Sequence, residues 1–133
     1  MKTLMIPIAL TALALSACEP MISAQTADTI PEAVQGRWGI TANDCDPARD
    51  DNKGLMVVEP TQLTFYESRG TLGEITDADS TRIEARFDFA GEGQTWQRDM
   101  VLDVQDGGNT LIRRDYGDDA MPGPLRYMNC ATL

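Results

Sequence analysis

Ile83-Glu84-Ala85-Arg86-Phe87-Asp88-Phe89 alternates without a fault, with apolar side chains at the odd positions and charged ones between them. A period of two belongs to a strand with one face buried and the other wet. Working outward, the same pattern recurs. Downstream, Gly91-Glu92-Gly93 makes a tight connection into residues 94–106, where Trp96, Met100, Leu102 and Val104 share a face with Arg98. Asp106-Gly107-Gly108-Asn109 is a hairpin signal, followed by strand-like residues 110–116, a loop with Pro122 and Pro124, and a last run at 125–130. Upstream lie an aspartate-rich turn at 76–80, a run at 71–75, and a run at 62–68 that Gly70 interrupts. Residues 55–59 and 36–41 complete the set, and 43–54 form an acidic loop. Short runs divided by Gly, Pro, Asp and Asn predict an all-β domain.

The N-terminus has another character. Lys2 precedes an apolar stretch at 4–15 and the small residues Ser16 and Ala17, the layout of a signal peptide. About a dozen apolar residues fall short of the ~20 of a spanning helix. Leu15-Ser16-Ala17-Cys18 resembles the lipobox of bacterial lipoproteins. The resemblance implies cleavage before Cys18, a lipid thioether on it and acylation of the new amino terminus, palmitate being a candidate chain. Two or three chains hold a protein stably where one does not. Glu19, where sorting rules place aspartate in proteins kept at the inner membrane, favours the outer membrane of a Gram-negative envelope, facing the periplasm. The expected organisation is a signal peptide at 1–17, a lipidated N-terminus and flexible tether at 18–33, and a β-barrel-like domain at 34–133.

With Cys18 assigned to lipid, Cys45 and Cys130 remain as a pair, and in an oxidising compartment a disulfide is expected. The bridge bears on strand count. The runs number eight if Gly70 divides residues 62–76, and seven if they form one bent strand. In an eight-stranded up-and-down barrel the first and last strands are antiparallel, so Cys45 reaches Cys130 only through a returning loop. Seven strands bring the two ends to one side. The expected fold is therefore a small antiparallel barrel or flattened sandwich of about seven strands with one disulfide, residues 43–54 leaving room for a returning loop.

The chain has 133 residues, 11 Lys+Arg against 21 Asp+Glu and no histidine. Loss of Lys2 with the signal peptide leaves 10 basic residues against 21 acidic, a net charge of −11. Such a domain repels nucleic acid and anionic surfaces and attracts cationic partners over about a Debye length. Its membrane partner is expected to be held through the lipid. There is no histidine and no expected free thiol, Lys53 is the one lysine of the mature chain, and among 21 acidic residues no facing pair of carboxylates can be selected. No enzyme activity and no cofactor are expected. The loop 44–52 is rich in aspartate, but it lacks EF-hand spacing and contains Arg49. It reads as a solvated loop pinned by the disulfide, with no metal.

Gly36-x-Trp38 resembles the opening signature of lipocalins and related calycin barrels. The resemblance implies a tryptophan at the closed end of the barrel beneath an arginine, with Arg113, Arg114 and Arg126 as candidates. The chain is shorter than a typical member and lacks the Thr-Asp-x-x-Tyr motif and the terminal helix, so a side-chain-filled interior is expected. Lys53-Gly54-Leu55-Met56 with Leu63-x-Phe65-Tyr66-Glu67-Ser68-Arg69 looks like small Gram-negative lipoproteins to which no activity is assigned. On the residues alone, Trp38 also reads as core.

Arg98 breaks the alternation of its strand, so it needs a carboxylate partner or a wet barrel mouth. Tyr66 and Arg69 at a strand bend are candidates to meet a partner. The functional expectation is a non-enzymatic envelope lipoprotein with a binding or scaffolding domain, in which Arg98, Tyr66, Arg69 and Trp38 are the possible contacts. The alternatives are an inhibitor of a basic envelope hydrolase such as lysozyme, and a carrier of a small apolar ligand.

Overall fold

Eight antiparallel strands close into a barrel in the computed structural model, which describes residues 28–133. The expected signal peptide at 1–17, the Leu15–Cys18 motif and the expected tether up to residue 27 lie outside the described residues. The strands are β1 Gly36–Gly39, β2 Leu55–Val58, β3 Gln62–Thr64, β4 Arg69–Ala78, β5 Arg82–Gly91, β6 Gln94–Gln105, β7 Thr110–Tyr116 and β8 Leu125–Asn129. Each pairs with the next, and β8 returns to β1 through Trp38↔Asn129 and Gly39↔Met128. The all-β antiparallel architecture and the Cys45–Cys130 disulfide are as expected.

The strands number eight rather than about seven, and the division falls at residues 65–68 instead of Gly70. The Phe65 N–H donates to the Ser68 carbonyl at 2.9 Å, which turns the chain between β3 and β4. Gly70 sits inside β4 opposite Phe89, and a Cβ there would lie 2.9 Å from the Phe89 ring. The glycine thus lets an aromatic ring cover the backbone. The disulfide survives an even strand count because β1 is short, about 13 Å at 3.3 Å per residue. One 3₁₀ turn, Ala42–Cys45, brings the chain back beside it. Cys45 Sγ then lies 2.8 Å from where a Gly39 Cβ would be, so only glycine admits this return.

Alternation carries Ile83, Ala85, Phe87 and Phe89 of β5 into the interior, where they meet Trp38, Met56, Leu63, Met100, Leu102 and Leu111. Two hairpins need left-handed backbone. Glu92 and Gly93 have φ of 50° and 75°, both positive as a two-residue type I′ turn demands.

One end of the barrel is plugged by the chain's own entry segment. Ile30 and Val34 are fully buried. The Ile30 N–H donates to the Pro60 carbonyl at 2.8 Å, and the Trp38 indole N–H donates to the Val34 carbonyl at 2.8 Å. Among the described residues, packing against the barrel therefore already includes Ile30, within the segment expected as tether. Strand direction puts the β2–β3, β4–β5 and β6–β7 turns at this end. The other end carries the loop at 40–54, the turns at 65–68 and 92–93, and the loop at 117–124. Among the described residues no helix is long and apolar enough to cross a membrane.

Candidate functional site

Reading β6 from the plugged end outward, its inward side chains are Val104, Leu102, Met100, Arg98 and Trp96. Polarity appears only in the last two layers. Register sets Phe87 beside Arg98 and Phe89 beside Trp96. On β7 the inward residues Leu111, Arg113 and Asp115 follow the same order, apolar at depth and charged at the mouth. The open end of the barrel is thus lined by two arginines, one aspartate and a set of aromatic rings.

Those rings form a wall. Phe89 and Trp96 stack with centroids 5.4 Å apart and planes within 8°, and Phe65 tilts against Phe89 at 5.9 Å. The Arg113 guanidinium lies 4.8 Å from the Phe65 ring centre, a cation–π contact. Arg113 grips Asp115 through two bonds of 2.8 and 2.6 Å and donates to the Tyr127 hydroxyl at 3.2 Å. Burial opposes its charge. The hydrogen bond and negative charge of Asp115, with Tyr127, nevertheless hold Arg113 above the ordinary arginine range. The two side chains are 13% and 8% exposed, so this is a buried pair.

Arg98 is different. Its side chain is 11% exposed, and its Nη1 donates at 2.9 Å to Asp119, which is 85% exposed on the loop at 117–124. The carboxylate partner and the barrel mouth, alternatives in the sequence, are both realised. A cavity of about 330 Å³ opens beside it, lined by Phe65, Phe89, Trp96, Arg98, Arg113 and Met121 among others.

The Arg98 hydrogen bond, with the charge behind it, holds the Asp119 carboxyl below the ordinary aspartate value. A depressed folded value means the pair is intact at neutral pH and is lost as pH falls through that depressed value. In Arg98→Gln the Asp119 carboxyl is expected to titrate upward, toward the ordinary aspartate value, in an NMR titration of its side-chain carbon. An unmoved titration would show that the arginine does not set it.

Tyr66 is 47% exposed on the β3–β4 turn, with the Lys53 ammonium 5.8 Å above its ring. Arg69 is exposed at the start of β4 and borders a shallow groove with Thr71, Asp88 and Trp96. Arg98, Tyr66 and Arg69 therefore gather at one end. Trp38 lies fully buried at the plugged end and belongs to the core. Of the arginines considered for a place above it, Arg113 covers Phe65, Arg126 reaches Thr110 and Asp106, and Arg114 is exposed. The Arg113–Asp115 pair was not singled out in the sequence. Its signal was the odd-numbered set Leu111, Arg113, Asp115, which places opposite charges two residues apart on an inward face.

In the loop at 43–54, Asp44 is used internally. It accepts from the Thr41 N–H and hydroxyl and from the Gly54 N–H, at 2.9, 3.1 and 3.0 Å. Among the described residues no group of three or more His, Cys, Asp or Glu is placed to hold a metal ion. Comparison with protein-family models, curated proteins and solved structures finds no match for this chain, so the mouth is read from its own residues.

Proposed function

We propose that this chain is a non-enzymatic lipoprotein of a Gram-negative envelope. Cys18 anchors it at the outer membrane facing the periplasm, and the mouth of its barrel binds or scaffolds a partner. The observation that carries the reading is the polarity of the barrel. The chain enters at the plugged end, through Ile30 against Pro60, so an anchor upstream of it attaches at the end opposite the mouth and leaves the mouth free to meet a partner. Aromatic and arginine side chains, the residue types that dominate binding surfaces, sit at that open end. The interior below is filled by Trp38, Phe87, Met100 and Leu102, which favours a surface binder over a deep calyx for an apolar ligand.

The anchor is tested by metabolic labelling with palmitate and membrane fractionation of Cys18→Ala. Loss of label and release from the membrane are expected. Retention on the membrane by the unlabelled variant would sink the anchored reading.

A second reading, inhibition of a basic hydrolase such as lysozyme, is favoured by the exposed Asp46, Asp50, Asp51, Asp118 and Asp119 on mouth loops. It requires salt-sensitive association with purified lysozyme, and no association at low ionic strength disposes of it.

A further inference from the structure

We propose that the mouth cavity binds a small monocarboxylate with a flat apolar body, which takes the place of Asp119 on Arg98. The inference rests on the reading of the mouth as the binding face and gives that face its ligand chemistry. A guanidinium has five N–H donors. Asp119 takes one of those of Arg98, and no other acceptor meets it among the described residues. No buried side-chain nitrogen there lacks a partner, so the remaining donors of Arg98 open onto solvent in the cavity. A guanidinium with free donors can grip a carboxylate through two parallel bonds.

The chain itself supplies the example, since Asp119 is a carboxylate seated on that guanidinium. Its hold is weak, because a pair with one member 85% exposed adds little in water. Arg113 is by contrast committed to Asp115 and Tyr127. Beside Arg98 the stacked Phe89–Trp96 pair and the Phe65 ring offer flat apolar walls. About 330 Å³ is at the lower end of ligand-pocket volumes, which limits the ligand's size. Asp115 and the acidic surface oppose a second negative charge, hence one carboxylate. A cation would face both arginines.

The probe is phenylacetate, with phenylacetamide as its neutral match, titrated calorimetrically into the full chain in detergent at pH 7. Saturable binding of the acid is expected, with the amide about tenfold weaker or worse. Arg98→Gln is expected to weaken phenylacetate at least about tenfold. Asp119→Ala, which removes the internal competitor, is expected to strengthen it about two- to fivefold. This gain is a result that misfolding does not produce. Equal binding of acid and amide, or unchanged affinity in Asp119→Ala, overturns the inference. So does absence of phenylacetate binding up to about 10 mM in both the native chain and Asp119→Ala. Such a failure, with palmitate labelling of Cys18 intact, removes the carboxylate site and leaves the anchored binder standing.

Discussion

Replacing Cys45 and Cys130 together by alanine is expected to lower the stability of the domain by about 4–5 kcal/mol in urea denaturation. The bridge closes a loop of 85 positions, and the chain-entropy relation assigns a loop of that size this magnitude. A small domain has ~5–15 kcal/mol in total, so the reduced form is marginal. The location adds to the effect. The bond ties the 3₁₀ turn after β1 to the chain just past β8, across the seam where the barrel closes. That seam is paired only at Trp38↔Asn129 and Gly39↔Met128, whereas β5 pairs with β6 along the whole of its own length. Hydrogen exchange at the β1–β8 amides should therefore accelerate before exchange at β5 and β6. A loss below about 1 kcal/mol, or uniform acceleration, would mean the seam does not depend on the bridge.

Asp115→Ala is the other large effect, with an expected cost of about 3–5 kcal/mol from leaving the Arg113 guanidinium buried without its carboxylate. The Tyr127 hydroxyl remains as an acceptor and the mouth admits water, which places the result toward the lower figure. The double replacement Arg113→Met with Asp115→Val removes both charges at nearly the same total volume. It is expected to lie within about 1 kcal/mol of the native chain, because the desolvation cost of a buried pair offsets most of its attraction. Urea melts of the two variants decide the matter. If the double variant is as unstable as Asp115→Ala, the site needs the ion pair's geometry rather than mere neutrality.

These two sites were not equally legible. Cys45 and Cys130 could be paired from the chain alone once Cys18 was set aside. The buried pair needed the knowledge that Leu111 faces inward. The expected count of about seven is close to the eight strands observed, and the difference lies at the turn Phe65-Tyr66-Glu67-Ser68, where none of the residues is Gly, Pro, Asn or Asp and two are strong strand formers. The turn is made by tertiary context, with Phe65 drawn onto Phe89 and Arg113. Gly70 was the visible irregularity, and its function is to admit a ring.

The Arg98–Asp119 contact illustrates the remaining gap. Arg98 stood out because it interrupts an inward apolar face, a property of five or six consecutive residues. Its partner lies 21 positions away in a loop containing two adjacent aspartates, and the loop has no periodicity from which to choose between them.

What the sequence determined by itself is what a period of two and a turn residue can encode. This covers the all-β class, most strand positions and the oddity of Arg98, while the pairing of Cys45 with Cys130 came from cysteine count once Cys18 was set aside. Side-chain direction in a strand repeats locally, so a few neighbours suffice to read it. The tertiary structure alone decided the eighth strand, the plug of Ile30 and Val34, and the gathering of Arg98, Arg113, Asp115 and the Phe65–Phe89–Trp96 wall at one end. Those depend on the stagger between strands and on barrel closure, which accumulate over the whole sheet and belong to no single stretch.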